Sequence, residues 1–216
     1  MVRRTKSATT PLPAGTWREQ IVEFHEQLVR QRGEGWGAFW GSPASQRGRY
    51  EVFFRELPLA DSEVLEVGCG FGDFLLVASE YNALPRRYLG VDLSPSIIGA
   101  ARQRHPQADF AVLDILTDDP PFAPDFVVAS GIMAVEVPDY EAYVLAILRR
   151  FHALGRRGFA LNFLSTCSER PDAVSRYVEP GWLLSLFQRN IDWRCRLLHD
   201  YRSNDFTLVH QRPSTP

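Results

Sequence analysis

The sequence predicts an α/β fold: a doubly wound, Rossmann-like sheet of seven strands, mostly parallel with the last strand antiparallel, and helices on both faces. Three observations carry that expectation. Short apolar runs alternate with amphipathic segments through most of the chain, the rhythm of βαβ units with right-handed crossovers. Most of those runs are continuously apolar, as in a sheet covered on both faces. The final two, CRLLHD (195–200) and DFTLVH (205–210), are separated only by YRSN. Four residues cannot carry a parallel crossover, so this pair is antiparallel.

Each element follows in order. Residues 1–15 are polar, contain Pro11 and Pro13, and read as a disordered tail. TWREQIVEFHEQLVRQRG then reads as a helix. Thr16 and Glu19 suit a capping box, Trp17, Ile21, Phe24 and Leu28 share one face, and Gly33 suits a left-handed stop. This helix packs on the main domain and is compatible with a lid. An aromatic, glycine-rich loop (33–46) leads to a second helix over 47–57. Residues 16–58 form an N-terminal cap or lid, and 59–216 the main domain.

In that domain EVLEVG (63–68) is the first strand and FLLVASEYN (74–82) the first helix. RYLGVD (87–92) follows, then a helix over 95–104, then DFAVLD (109–114) and DFVVAS (125–130). A helix over 141–154 precedes the strand GFALNFL (158–164), and a helix over 181–189 precedes the antiparallel pair.

Composition bounds the function. With 216 residues, 45% hydrophobic and 23% charged, the chain suits one globular α/β domain. A net charge of −2 argues against binding nucleic acid by charge alone. Cys69, Cys167 and Cys195 are widely spaced, so neither a disulfide framework nor a metal site is indicated. His25, His105, His152 and His210 are assigned no role. No apolar run of about 18 residues is present for a membrane span, and the N-terminus lacks the apolar core of a signal peptide, so a cytoplasmic location is expected.

The loop after the first strand decides the cofactor. VLEVGCGFGDF spaces Gly68, Gly70 and Gly72 in strict alternation. A dinucleotide fingerprint needs its third glycine at position 73, which is Asp73. Glu66 and Asp73 raise the cost of seating a pyrophosphate here and favour a cation. S-adenosylmethionine (SAM), a phosphate-free sulfonium nucleoside, meets that requirement. Asp92 ends the second strand, where a carboxylate accepts from ribose hydroxyls, and Asp114 ends the third, where it can receive the adenine amino group. Singly, Asp92 equally suits a helix cap and Asp114 a turn. Jointly they mark the carboxyl edge of the sheet, where ligands of open α/β sheets bind.

VLEVGCGFG, YLGVDLSPSII, LDIL and DFVVASGI resemble the successive motifs of class I SAM-dependent methyltransferases, from about residue 46 onward. ASGI, ALNFLS and HDYRSNDFT resemble a bacterial subgroup found in surface-glycan and specialised-metabolite gene clusters. The resemblance implies a seven-stranded sheet with its last strand antiparallel. It also implies cofactor contacts at Glu66, Gly68, Cys69, Gly70, Asp73, Asp92, Leu93, Asp114, Ile115, Ser130 and Gly131. The segment QRGRY implies that Gln46, Arg49 and Tyr50 approach the methionine end, where Arg49 would pair with the carboxylate. A solvated helical arginine is the alternative. Cys69 is read as packing, not as a nucleophile.

Methyl transfer from a sulfonium needs in-line positioning above all, and a base only for a protonated acceptor. Ser130, Asn162, Ser165, His199 and Tyr201 lie at the relevant strand ends. His199 has the most suitable pKa for a general base, although a hairpin histidine bonded locally explains it equally. Acceptor contacts are expected at Trp36, Met133, Asn162, Tyr177 and Tyr201; burial in a core is the competing reading for the aromatics. The expected function is methylation of an oxygen or nitrogen of a small molecule or sugar, without metal, nucleic acid or membrane, by a monomer or homodimer. An RNA methyltransferase, a non-catalytic SAM-binding subunit and an NAD-dependent oxidoreductase are the alternatives.

Overall fold

The computed structural model describes residues 17–32 and 42–213. Helices α1 (Trp17–Arg32) and α2 (Pro43–Glu56) precede the sheet. Strand β1 (Glu63–Val67) leads through α3 (Asp73–Glu80) to β2 (Arg87–Asp92), and α4 (Pro95–Arg104) leads to β3 (Asp109–Val112). Then come β4 (Phe126–Ala129), α5 (Tyr140–Leu154), β5 (Gly158–Leu164), α6 (Pro180–Asn190), β6 (Arg196–Arg202) and β7 (Asp205–Gln211). The strand order is β3-β2-β1-β4-β5-β7-β6. β1 to β5 pair in parallel, and β7 runs antiparallel to both β5 and β6. The reversed last strand is therefore as expected.

Differences from the sequence reading are local. β6 continues through Tyr201 and Arg202, leaving only Ser203 and Asn204 between the strands, because Arg202 still pairs with Asp205. α2 begins four residues before the expected position 47. The Ser42 hydroxyl accepts from Ser45 N at 3.1 Å and Pro43 occupies the first turn, a start signal embedded in a stretch that looked like loop. β3 stops at Val112 because Asp114 closes a turn, its carboxylate accepting from Leu116 N at 2.9 Å. The tail, Thr16, Gly33 and Trp36 lie outside the described residues.

The pleat of the strands distributes side chains between two cores. Leu65, Val67, Val91 and Val127 pack with Val144, Ile147 and Phe151 of α5 and Phe187 of α6. Val64, Tyr88, Phe126 and Val128 pack on the other face with Phe53 of α2, Phe74 of α3 and Ile98 of α4. Each fully buried side chain of this size contributes about 1.5–3 kcal/mol. β1 neighbours both β2 and β4, so the chain reverses its direction of winding there. That switch point opens a crevice above the carboxyl ends of the strands, the usual ligand position in such sheets.

Candidate active site

The glycine loop is the floor of the crevice. Gly68, Gly70 and Gly72 all have positive φ, at 68°, 54° and 81°, which side-chain-bearing residues adopt only with strain. A Cβ on Gly68 would lie 2.2 Å from Cγ2 of Ile132. The loop is stitched to β2: Gly68 N and Cys69 N both donate to Val91 O, at 2.8 and 3.0 Å. Cys69 is buried, and desolvation pushes its thiol well above the ordinary range. It has the character of a packing residue, since only the thiolate is a good nucleophile.

Asp92 stands at the end of β2 facing that floor. Its Oδ2 accepts from Gly70 N at 3.3 Å and its Oδ1 from Ser94 N at 3.1 Å. Burial raises its carboxyl, opposed by the Ser94 amide, by His25 and by the Gly70 amide. His25, to which the sequence assigned nothing, comes down from α1 against Asp92. Its Nδ1–H donates to Ile21 O at 2.8 Å, and burial lowers its pKa while Asp92 opposes that shift. At the next strand end Arg18 of α1 pairs with Asp114. Glu26 accepts from the Ser94 and Ser96 hydroxyls at 3.0 and 3.1 Å. Helix α1 thus lies across the carboxyl ends of β2 and β3, with the Trp17 ring edge-on to Tyr143 of α5, 5.3 Å between centroids.

Beneath α1 is a cavity of about 330 Å³, at the lower end of ligand-site volumes. Of the predicted cofactor contacts, Gln46, Arg49, Tyr50, Gly68, Cys69, Gly70, Asp92, Leu93, Asp114, Ile115, Ser130 and Gly131 line it. The Ser130 hydroxyl is buried and has no hydrogen-bond partner among the described residues. Arg49 is 6% exposed and its Nη2 lies 2.7 Å from Oδ1 of the fully buried Asp205. Its guanidinium therefore has a carboxylate partner within the protein.

Two predicted contacts do not reach the cavity wall. Glu66 is 1% exposed and belongs to the α2–α3 face, where the Tyr88 hydroxyl donates to it at 2.5 Å and Tyr50 hydrogen-bonds it too. Burial pushes its carboxyl up to about 8, so below that pH it is neutral. Asp73 accepts from Gln46 Nε2 at 2.9 Å and pairs with Arg104 at 3.3 Å. The carboxylates that do line the cavity are Asp92, Asp114 and Asp172.

On the acceptor side, Tyr177 lines the cavity. Its hydroxyl accepts from Asp172 N at 2.9 Å and donates to Asp172 Oδ2 at 3.1 Å. Burial alone would raise Asp172, but hydrogen bonds from Val174, Ser175 and Tyr177 outweigh it and hold the carboxyl below its ordinary range. Met133 is buried in the α5 core, and Asn162 binds the Tyr201 hydroxyl and Phe206 O at 3.1 and 3.3 Å. Tyr201 also meets Thr207 Oγ1 at 2.8 Å, so Asn162 and Tyr201 tie β5, β7 and β6 together. His199 sits on the outermost strand, its ring edge-on to Phe206 and its Nε2–H donating to Ser203 O at 3.2 Å. Met133, Asn162, His199 and Tyr201 are not among the residues lining the cavity. Trp17, Ile21, His25, Tyr143 and Asp172 are. The apolar face of α1 was the one sequence signal that pointed to the first two.

A glycine-floored crevice at the switch point, with a carboxylate at each of two strand ends, defines a nucleoside-binding α/β protein. Residues 64–155 match the family described as methyltransferase domain. Over 160 residues the chain is 31% identical to the Mycobacterium tuberculosis (strain ATCC 25618 / H37Rv) protein named "Putative methyltransferase Rv1506c", covering 69% of this chain and 92% of that one. Among solved structures it is similar to magnesium protoporphyrin IX methyltransferase (ChlM) of Synechocystis PCC 6803 with bound SAH. That match has a TM-score of 0.63 and 15% identity, over 91% of this chain and 98% of the other. The DhpI-SAM-HEP complex matches with a TM-score of 0.67 and 18% identity, over 95% and 100%. The chain belongs to the class I SAM-dependent methyltransferases. It is an enzyme of that family, with S-adenosylmethionine as cofactor. Among the described residues no helix is long and apolar enough to cross a membrane.

Proposed function

We propose that the protein methylates an oxygen or nitrogen of a small molecule or sugar, such as a specialised metabolite or glycan precursor. The observation that carries this reading is the roof. Helix α1 closes the cavity with Trp17, Ile21 and His25, which suits a compact acceptor better than a folded RNA.

The residues present fit S-adenosylmethionine. Bare backbone at Gly68 and Gly70 permits close approach, and the partnerless Ser130 hydroxyl is a buried polar group that a ligand would satisfy. Asp92 would accept from the ribose hydroxyls, Asp114 from the adenine amino group, and Leu93 and Ile115 would flank the ring. Gln46, Arg49 and Tyr50 would hold the methionine end. The cofactor supplies an electrophilic methyl group whose transfer discharges a sulfonium. The chain's task is then to hold the acceptor in line and exclude water. The Tyr177–Asp172 pair on the cavity wall would recognise a hydroxyl or amine of the acceptor. His199, engaged with Ser203 on the edge strand, takes no part in this scheme.

Calorimetry with SAM and with NAD, followed by transfer of labelled methyl into fractionated metabolites and sugars, tests the reading. SAM binding with label in a small-molecule fraction is the expected result. Label entering only bulk tRNA, with binding that weakens steeply in salt, would overturn the acceptor class.

A further inference from the structure

A second cluster of reactive side chains lies at the other edge of the sheet. His210 of β7 pairs with Phe159 beside Gly158, the first residue of β5, whereas the cavity sits at the carboxyl ends of the parallel strands. Around His210 gather His152, from the last turn of α5, and Asp192, just beyond α6. The ligand atoms of these three residues all lie within 4.8 Å of one another.

Hydrogen bonds set the orientation of His210 and bias that of Asp192. His210 is 1% exposed, and its Nδ1 lies 2.7 Å from Arg194 O. A carbonyl only accepts, so Nδ1 carries a proton, and in the neutral ring Nε2 carries the lone pair. That Nε2 is buried, has no hydrogen-bond partner among the described residues and lies 3.9 Å from Asp192 Oδ2. Asp192 Oδ1 is occupied by Arg194 N and Nε at 3.0 and 3.3 Å, which leaves Oδ2 toward the cluster. The His152 ring completes it, 5.0 Å from His210 between centroids.

A buried imidazole nitrogen with no partner is costly, and a backbone carbonyl that fixes the tautomer through the other nitrogen is the usual companion of a metal-bound histidine. From this we propose that His152, Asp192 and His210 form a binding site for zinc or a similar borderline divalent cation, completed by water. Two imidazoles and one carboxylate suit such an ion. Bonds of about 2.1 Å in a tetrahedron bring ligand atoms to roughly 3.4 Å, so the three must close by up to about 1.4 Å. Rotation of the two less buried side chains, His152 and Asp192, provides that movement. Two cations stand nearby and weaken the site, but both are engaged: Arg194 on Asp192, and Arg212 on the His152 and Gly155 carbonyls. Bound there, the ion clamps α5, the end of α6 and β7, far from methyl transfer.

The test uses the untagged full-length chain after chelation and dialysis. Titration with Zn²⁺ is expected to saturate at one equivalent and raise the melting temperature. Co²⁺ is expected to give visible bands of tetrahedral nitrogen–oxygen coordination. His152→Ala and Asp192→Asn should each weaken Zn²⁺ binding more than about tenfold, while circular dichroism and SAM affinity stay unchanged. No saturable binding by the wild-type chain, or equal binding by the folded variants, overturns the site. So does a cobalt spectrum dominated by thiolate charge transfer and abolished by Cys195→Ser.

Discussion

The Tyr88 hydroxyl donates to Glu66 at 2.5 Å beneath the glycine loop, in a pocket closed by Tyr50 and Phe74. The carboxyl group that in sequence stands beside the cofactor loop is part of its foundation. Burial raises it to about 8.

This fixes a pH dependence. The native state holds the Glu66 proton up to about pH 8, while the unfolded chain releases it near its ordinary value of 4.5. Between those values the native state binds more protons, so stability falls as pH rises. The contribution is fully present below pH 4.5 and lost by the time pH passes 8. Denaturant unfolding of the wild-type chain and Glu66→Gln across pH 5–9 is expected to show an excess loss of wild-type stability on the order of a few kcal/mol over that range, absent in the variant. Parallel curves would mean that Glu66 is charged in the native state.

Gly68 and Gly99 should respond oppositely to alanine. Gly68 has a φ of 68° and a Cβ there would meet Ile132, so Gly68→Ala should cost about 1–3 kcal/mol and weaken SAM binding at least about tenfold. Gly99 lies within α4 with nothing within 4 Å of a Cβ, so Gly99→Ala should stabilise by about 0.5–1 kcal/mol with SAM affinity unchanged. Thermal melts and calorimetry read both.

Asp92→Ala removes an acceptor that also ties Gly70 N of the glycine loop to the end of β2. A buried hydroxyl deprived of its partner costs about 1–3 kcal/mol, so SAM affinity should fall roughly tenfold to a hundredfold. Unchanged affinity in a folded variant would remove the ribose assignment.

The Arg49–Asp205 pair joins α2 to the start of β7 through two buried side chains. Removing one member of a buried pair costs about 3–5 kcal/mol. Asp205→Ala should therefore lower the unfolding midpoint strongly. A shift typical of a surface pair, below about 1 kcal/mol, would show that water reaches Arg49.

The glycine spacing, the strand-end positions of Asp92 and Asp114 and the antiparallel final pair were legible because each is a short-range pattern. Side-chain direction was not. Leu65 and Val67 point to the α5 face while Val64 and Glu66 point to the other, and nothing in an apolar strand buried on both sides says which face adjoins the ligand. Lateral distance was equally hidden. His199 opens the HDYRSNDFT segment, yet β6 lies three strands from β4, about 14 Å at the spacing of neighbouring strands.

The amino-acid sequence by itself determined the sheet, its reversed last strand, the glycine floor and the carboxylates above it, because backbone conformation and strand period are written in adjacent residues. Tertiary structure alone decided that Glu66 is a buried neutral acid, that α1 brings Arg18 and His25 to Asp114 and Asp92, and that His152, Asp192 and His210 converge. Those relationships join residues far apart in the chain, and they exist only once packing has set the distance and the dielectric between them.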